Sequence, residues 1–103
     1  MASINKLMKQ AMRAQQQAQE TEAALAAREV EATSGGGAVK VVATCKGVLM
    51  SLKIDPEAVD PEDVETLEDL VFTAVNSAIA EGQKIQAEEM GKVTAGLNLP
   101  GMG

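Results

Sequence analysis

Three basic residues near the N-terminus have a spacing that suits contact with phosphates. Lys6, Lys9 and Arg13 are three and four residues apart, so a helix would place them within about 60° of one another on one face. No acidic residue precedes Glu20. Side chains spaced in this way reach successive phosphates along a groove edge, and Gln10 adds a hydrogen-bonding group beside them. The spacing alone fits equally well with a solvated helix face, or with pairing to the acidic helix of a neighbouring molecule.

Side chains that commonly carry catalysis are scarce. The chain has no histidine and one cysteine, which removes the usual base near neutral pH and leaves no nucleophile–base pair. The glycine run at 35–37 lacks the spacing of a phosphate-binding loop and precedes a strand pattern rather than a helix. The carboxylates at 60–69 lack the spacing of a calcium loop. We therefore predict that the protein is not an enzyme and uses no metal, cofactor or small-molecule substrate.

The charge is distributed unevenly along the chain. The formal net charge is −6, yet residues 1–53 carry seven basic and four acidic side chains, and residues 54–103 carry two basic and eleven acidic ones. Partners respond to local fields, so the N-terminal half can attract an anion although the whole chain is acidic. The chain has one phenylalanine and no tyrosine or tryptophan, which disfavours the stacking of single-stranded bases.

The basic residues lie within a predicted helix over residues 3–27. The segment is rich in alanine, glutamine and methionine and has no glycine or proline, and Ser3 is the predicted N-cap. At about 1.5 Å per residue the helix spans roughly 37 Å, which is longer than a small sheet can cover. Part of it should therefore project or meet another subunit. A narrow seam of mostly small residues follows it, widened at the start by Ile4 and Met8: Leu7, Ala11, Ala14, Ala18, Thr21 and Leu25.

The middle of the chain predicts three strands, at 28–33, 39–44 and 48–54. The second alternates with Val39, Val41, Ala43 and Cys45 on one face, and Cys45 is expected to be a buried apolar side chain. Short glycine-containing connections predict an antiparallel meander. Its apolar face should pack on the helix that follows. The third strand is expected to place these residues on one face: Val48, Met50, Leu52 and Ile54.

A second long helix is predicted over residues 60–91. Asp60 is its predicted N-cap, Pro61 its first residue and Gly91 its end. Its apolar residues cover roughly 160° of the helix surface, which suits one face on the sheet and a second against a symmetry mate. A chain of this size buries only about 65% of its surface alone, which also favours a partner subunit. We predict that the homodimer interface includes Phe72, Val75 and Ile79.

The domain organisation predicted from these patterns is a single α+β domain over residues 1–103, in the order α-β-β-β-α. It comprises a helical arm (1–27), a three-stranded antiparallel sheet (28–55), a long helix (60–91) and a flexible tail (92–103). No apolar run approaches the roughly 18 residues that a membrane span requires. The N-terminus also lacks the apolar region of a signal peptide, so we predict a cytoplasmic protein.

Motifs spread along nearly the whole chain resemble those of the YbaB/EbfC family of bacterial nucleoid-associated proteins. The matching segments are NKLMKQA (5–11), GGGAVKV (35–41), Gly47, LKIDP (52–56), DPEDVE (60–65), LEDL (67–70), AVN (74–76) and GLNLPG (96–101). The resemblance implies a tweezer-like homodimer with protruding helices that binds double-stranded DNA at the nucleoid, alters its conformation and affects gene expression. It also implies DNA contacts from helix residues near both chain ends, which here match Lys6, Lys9 and Arg13, with Lys84 and Lys92. The alternative is a protein–protein adaptor that uses the same arms.

Overall fold

The computed structural model describes residues 2–97. The predicted α+β order is confirmed: α1 (Ala2–Ala27), β1 (Glu29–Ser34), β2 (Val39–Thr44), β3 (Leu49–Ile54) and α2 (Val64–Leu97). At about 1.5 Å per residue the helices are roughly 39 and 51 Å long. The molecule measures 74 × 24 × 16 Å, so the helices extend well beyond the small sheet.

The strands form the predicted antiparallel meander, in the order β1-β2-β3. The β2–β3 connection turns at Gly47, whose φ of +86° is a left-handed conformation that favours glycine. Thr44 is buried at the end of β2. Its hydroxyl accepts hydrogen bonds from the backbone N–H groups of Lys46 and Val48 at 3.3 and 3.2 Å. The turn thus satisfies a buried polar side chain while it reverses the chain.

One irregularity in the β2–β3 ladder corrects the prediction for β3. The register shifts between Val42 and Ala43, so that Leu49, and not Met50, lies opposite Ala43. A bulge of this kind adds one residue to a strand and ends its strict alternation. It therefore interrupts the single apolar face predicted for Val48, Met50, Leu52 and Ile54.

The core lies between α2 and the first two strands. The predicted inward face of β2 is confirmed, and Cys45 is a buried free thiol. Small residues of α2 allow the helix to approach the sheet closely, and a Cβ on Gly82 would lie 3.1 Å from the Cys45 Cα. The helix gives little cover to β3, so only part of the hairpin packs on it as predicted. The fully or nearly fully buried apolar residues are Leu25, Val30, Val39, Val41, Ala43, Cys45, Ala74 and Ala78.

The second helix begins later than predicted. Asp60 accepts the Glu62 backbone N–H at 2.9 Å in a turn that precedes the helix, and Pro61 lies in this turn. The helix starts at Val64, and Asp63 caps it. Its Oδ1 accepts the Thr66 N–H at 3.3 Å and its Oδ2 accepts the Thr66 hydroxyl at 2.7 Å. Two aspartates in one short segment can both cap a turn, and pattern alone did not distinguish them.

The same helix also ends later than predicted. Gly91 does not stop it, because glycine inside a helix costs only about 1 kcal/mol and neighbouring residues pack against the body. Met90 is packed against the core cluster, and Val93 is half-buried. Residues 92–97, predicted to be irregular, are helical. The rest of that predicted tail lies outside the described residues.

Candidate nucleic-acid interface

The candidate DNA-binding residues of α1 lie on a part of the helix that projects from the body. Lys6, Lys9, Gln10 and Arg13 are all exposed. Within the described residues, none of the three basic side chains forms an ion pair with a carboxylate. Because Lys6 and Arg13 are seven residues apart, their Cα atoms are separated by about 10 Å along the axis. The stripe predicted from spacing is therefore an exposed row of uncompensated positive charges.

The start of α1 adds to this positive field. The helix begins at Ala2, so Ser3 lies inside it and does not cap it as predicted. Its first turn carries no acidic side chain, which leaves the positive end of the helix dipole uncompensated. The first acidic residue of the chain, Glu20, accepts a hydrogen bond from Gln16 at 3.4 Å. Charge along this arm therefore changes from basic to mixed as the helix approaches the body.

The two lysines of α2 differ from this stripe and from each other. Lys84 is exposed and, among the residues that the structure describes, has no ion-pair partner. Lys92 donates a hydrogen bond to Glu89 Oε1 at 3.0 Å. The same carboxylate oxygen lies 3.9 Å from Arg28 Nη1. Two cations therefore share one carboxylate, and Lys92 offers a less available charge to DNA than the α1 residues do.

The neighbours of the basic stripe were only partly anticipated. Lys9 and Arg13 border an exposed face of α1 formed with Met12, Gln15, Gln16 and Gln19. The amide groups of these glutamines lie within two helical turns of Arg13. Of these glutamines, Gln16 is seven residues from Lys9, so helical spacing alone places it on the same face. Arg28 was not predicted as a site residue, since its place beside α2 depends on tertiary packing.

Two of the three predicted dimer-interface residues, Phe72 and Val75, line an apolar groove on α2. Phe72 is 70% exposed, whereas Val75 and Ile79 are half-buried. Phe72 and Val75 line a shallow groove with Ile54, Leu67, Glu68 and Val71. On the adjacent β3, Leu49, Met50 and Leu52 are exposed as well. Ile54 is thus the β3 residue that lines the groove with α2, and further apolar side chains are exposed along β3.

No other type of site is evident in the described part of the chain. Residues 2–97 contain no group of three or more His, Cys, Asp or Glu side chains arranged to hold a metal ion. Within that range, neither helix combines the length and the apolar character needed to cross a membrane.

Similarity to known proteins agrees with the resemblance seen in the motifs. Residues 1–97 match the model of the YbaB/EbfC DNA-binding family. A nucleoid-associated protein of Desulforamulus reducens is 52% identical over 100 residues, covering 97% of this chain and 95% of its own. Nucleoid-associated proteins of Clostridium kluyveri and Alkaliphilus metalliredigens are 50% and 47% identical over the same length, and each alignment covers 97% of this chain and 88% of the relative.

The fold has a solved counterpart. The crystal structure of an uncharacterized protein from Helicobacter pylori superimposes with a TM-score of 0.60, covering 68% of this chain and 81% of the other, at 24% sequence identity. That similarity concerns the fold, and the family match over almost the whole chain establishes descent. The chain belongs to the YbaB/EbfC DNA-binding family.

Proposed function

We propose that this protein is a bacterial nucleoid-associated protein that binds double-stranded DNA as a homodimer, mainly through phosphate contacts. The observation that carries the proposal is the exposed row of Lys6, Lys9 and Arg13 on a projecting helix. The DNA-binding character of the family and the names of its relatives support the same assignment. Phosphate contact suits this surface because it requires charge and reach, but neither aromatic side chains nor a concave pocket.

A homodimer is supported by the apolar surface between β3 and α2. Exposed Phe72 lines one groove with half-buried Val71 and Val75, and Leu49 and Leu52 of β3 are exposed as well. Contiguous apolar surface of this kind on a small soluble protein marks an interface. In the proposed dimer, Phe72, Val75 and Ile79 lie at the contact. Each protomer then projects one basic arm, and the dimer presents two.

Two arms on one duplex would alter its conformation and thereby influence gene expression. A dimer contacts the DNA duplex at two places, and a straight duplex need not fit both contacts at once. Bending costs an energy that depends on the base sequence, so this mode of binding discriminates through DNA shape. Lys84 is the proposed additional contact from α2, and Lys92 and Gln10 are proposed as weaker ones.

The test is a DNA-retardation titration of the unaltered protein over a series of salt concentrations, with the solution mass measured in parallel. Six engaged phosphates per dimer predict that log affinity falls with log salt at a slope of about −5. The variant Lys6→Ala/Lys9→Ala/Arg13→Ala should lose most of this slope and bind DNA far more weakly. Because all three side chains are exposed, the substitutions should leave the fold intact.

A matched control changes the net charge by the same amount elsewhere. Lys40, Lys46 and Lys53 are exposed residues of the sheet and its turn, and their combined replacement by alanine should leave the slope near that of the unaltered protein. Equal losses in the two triple variants would refute the assignment to α1. Absence of DNA retardation at low salt, together with salt-resistant retention of one protein partner, would favour the adaptor function instead.

A further inference from the structure

The apolar seam of α1 has the spacing of a coiled-coil helix over its whole length. Apolar or small residues recur at alternating intervals of three and four, which is the pattern that keeps one line of side chains facing a partner helix. In the order of the heptad, the seam consists of Ile4, Leu7, Ala11, Ala14, Ala18, Thr21 and Leu25.

Only the half of the seam nearest the body has a partner within the described residues. Leu25 is buried, and Ala14, Ala18 and Thr21 are half-buried where α1 packs along α2. The other half continues the same line outwards, but Ile4 is 64% exposed, Leu7 is 53% exposed and Ala11 is exposed too. Apart from the small Ala11, the uncovered end carries larger apolar side chains than the part next to it.

The residues that flank the uncovered seam are uncharged. Positions beside the seam in a coiled coil carry the charges that select or repel a partner. Here the flanks on the outer part of α1 are Met8, Gln10, Gln15 and Gln17. Two identical arms that meet along the seam would therefore place no like charges at their contact.

The basic stripe and the seam lie on opposite sides of the helix. At about 100° per residue, the mean direction of the basic stripe is about 170° from the directions of Ile4 and Ala11 and about 130° from that of Leu7. An arm that turns its basic stripe towards phosphates thus turns its uncovered seam away from the DNA. Binding to DNA would not hide the seam, and would present it to whatever lies beside it on the duplex.

We infer that the outer seam of α1 is a contact between arms of neighbouring copies of this protein on the same DNA. The inference rests on the proposed DNA binding. Three side chains per arm bury far less than the roughly 1,200 Å² at the low end of stable interfaces. The arms therefore pair only when DNA holds them at high effective concentration. The result is cooperative binding along a duplex, with the basic stripe engaged and the seam closed between adjacent molecules.

The test compares a short duplex that accommodates a single dimer with a long duplex that accommodates several. The variant Ile4→Gln/Leu7→Gln places glutamine, a good helix former, at two exposed positions and changes no charge. It should match the unaltered protein on the short duplex in both affinity and salt slope. On the long duplex the unaltered protein should bind with a Hill coefficient above one. The variant should bind there with a coefficient of one and, even for a modest contact, about tenfold lower apparent affinity.

Met12→Gln is the matched control. Met12 is 67% exposed on the same part of the arm but lies off the seam, so its replacement should leave cooperativity unchanged. Equal loss in this control would assign the effect to general hydrophobicity, and would overturn the inference. So would non-cooperative binding by the unaltered protein, or intact cooperativity in Ile4→Gln/Leu7→Gln. Failure of the unaltered protein to bind even the short duplex would instead remove the proposed function itself.

A cross-linking experiment identifies the occupant of the seam. With Cys45→Ala as background, Leu7→Cys should form a disulfide between chains on the long duplex and much less on the short one. Met12→Cys in the same background should cross-link poorly on both. Equal cross-linking of Leu7→Cys on the short duplex, or without DNA, would place the contact within one dimer and overturn its assignment to neighbouring copies.

Discussion

The two ends of α1 share a sequence pattern but have opposite environments. Leu25 and Leu7 both lie on the heptad seam, yet one is 2% exposed in the core and the other 53% exposed on the arm. Next to Leu25 the sheet and α2 supply a complementary surface. Next to Leu7 the described chain supplies none. Periodicity therefore assigns a residue to a face, while the length of the neighbouring elements decides whether that face is covered.

The two ends of α1 also place different requirements on their side chains. At the base, shape dominates, because Ala74, Ala78 and Gly82 bring α2 against the strands with little space to spare. On the arm, charge and reach dominate, and no close packing constrains the side chains. The base should therefore respond to changes in volume, and the arm to changes in charge.

The largest expected effect on stability is the difference between replacing Leu25 and replacing Leu7 by alanine. Leu25→Ala should lower the free energy of unfolding by about 2–5 kcal/mol, since it leaves a cavity in a packed core. Leu7→Ala should change it by less than about 0.5 kcal/mol, as is usual for an exposed position. Denaturant unfolding at one fixed protein concentration measures both, because a dimer's stability depends on concentration. Similar losses in the two variants would mean that Leu7 is packed in solution and that the two ends of α1 have similar environments.

A smaller effect is expected from the two glycines of α2. Gly91→Ala should raise the free energy of unfolding by about 0.5–1 kcal/mol, because alanine favours the helix and a Cβ there meets nothing within 4 Å. Gly82→Ala gains the same propensity. Its Cβ would however lie 3.1 Å from the Cys45 Cα and 3.3 Å from the Thr44 carbonyl oxygen, and the overpacking costs about 1–3 kcal/mol. We therefore expect Gly82→Ala to lower the melting temperature measured by thermal denaturation. A higher melting temperature for Gly82→Ala would show that α2 tolerates a shift away from the sheet.

The smallest effect concerns the point where the arm leaves the body. Glu22 Oε1 lies 3.8 Å from Lys46 Nζ in the β2–β3 turn, and both side chains are partly exposed. A double-mutant cycle with Glu22→Gln and Lys46→Met should give a coupling of about 0.2–0.5 kcal/mol that declines with added salt. A salt-independent coupling above about 1 kcal/mol would instead make this ion pair an anchor of the arm.

Much of the fold was accessible from local patterns. Strand β2 matches its predicted bounds, β1 and β3 differ from theirs by one residue, and the inward face of β2 was predicted residue by residue. These features depend on alternation and turn residues, which are local. The helix ends were predicted less well. Asp60 and Asp63 both suit a cap, and local pattern does not show which of them begins the helix. Gly91 suits a helix end, but the helix continues past it.

The candidate site divides in the same way. The type and spacing of Lys6, Lys9 and Arg13 indicated a phosphate-binding stripe, because helical geometry alone aligns them. Their exposure required the structure, since it follows from how far α1 runs past the sheet. The sharing of Glu89 by Lys92 and Arg28 also required it, because Arg28 is distant in sequence from the other two.

The order of elements, the inward face of β2, the spacing of the basic stripe and the family were all evident from the amino-acid sequence, because each depends on residue types and their spacing along the chain. Which faces are covered follows from the tertiary structure. The bulge opposite Ala43 interrupts the apolar face of β3, and the placement of α2 over β1 and β2 leaves that strand open. The reach of α1 beyond the body leaves Leu7 and the basic stripe exposed. Coverage depends on the relative positions of whole elements, and those positions follow from packing rather than from any local pattern.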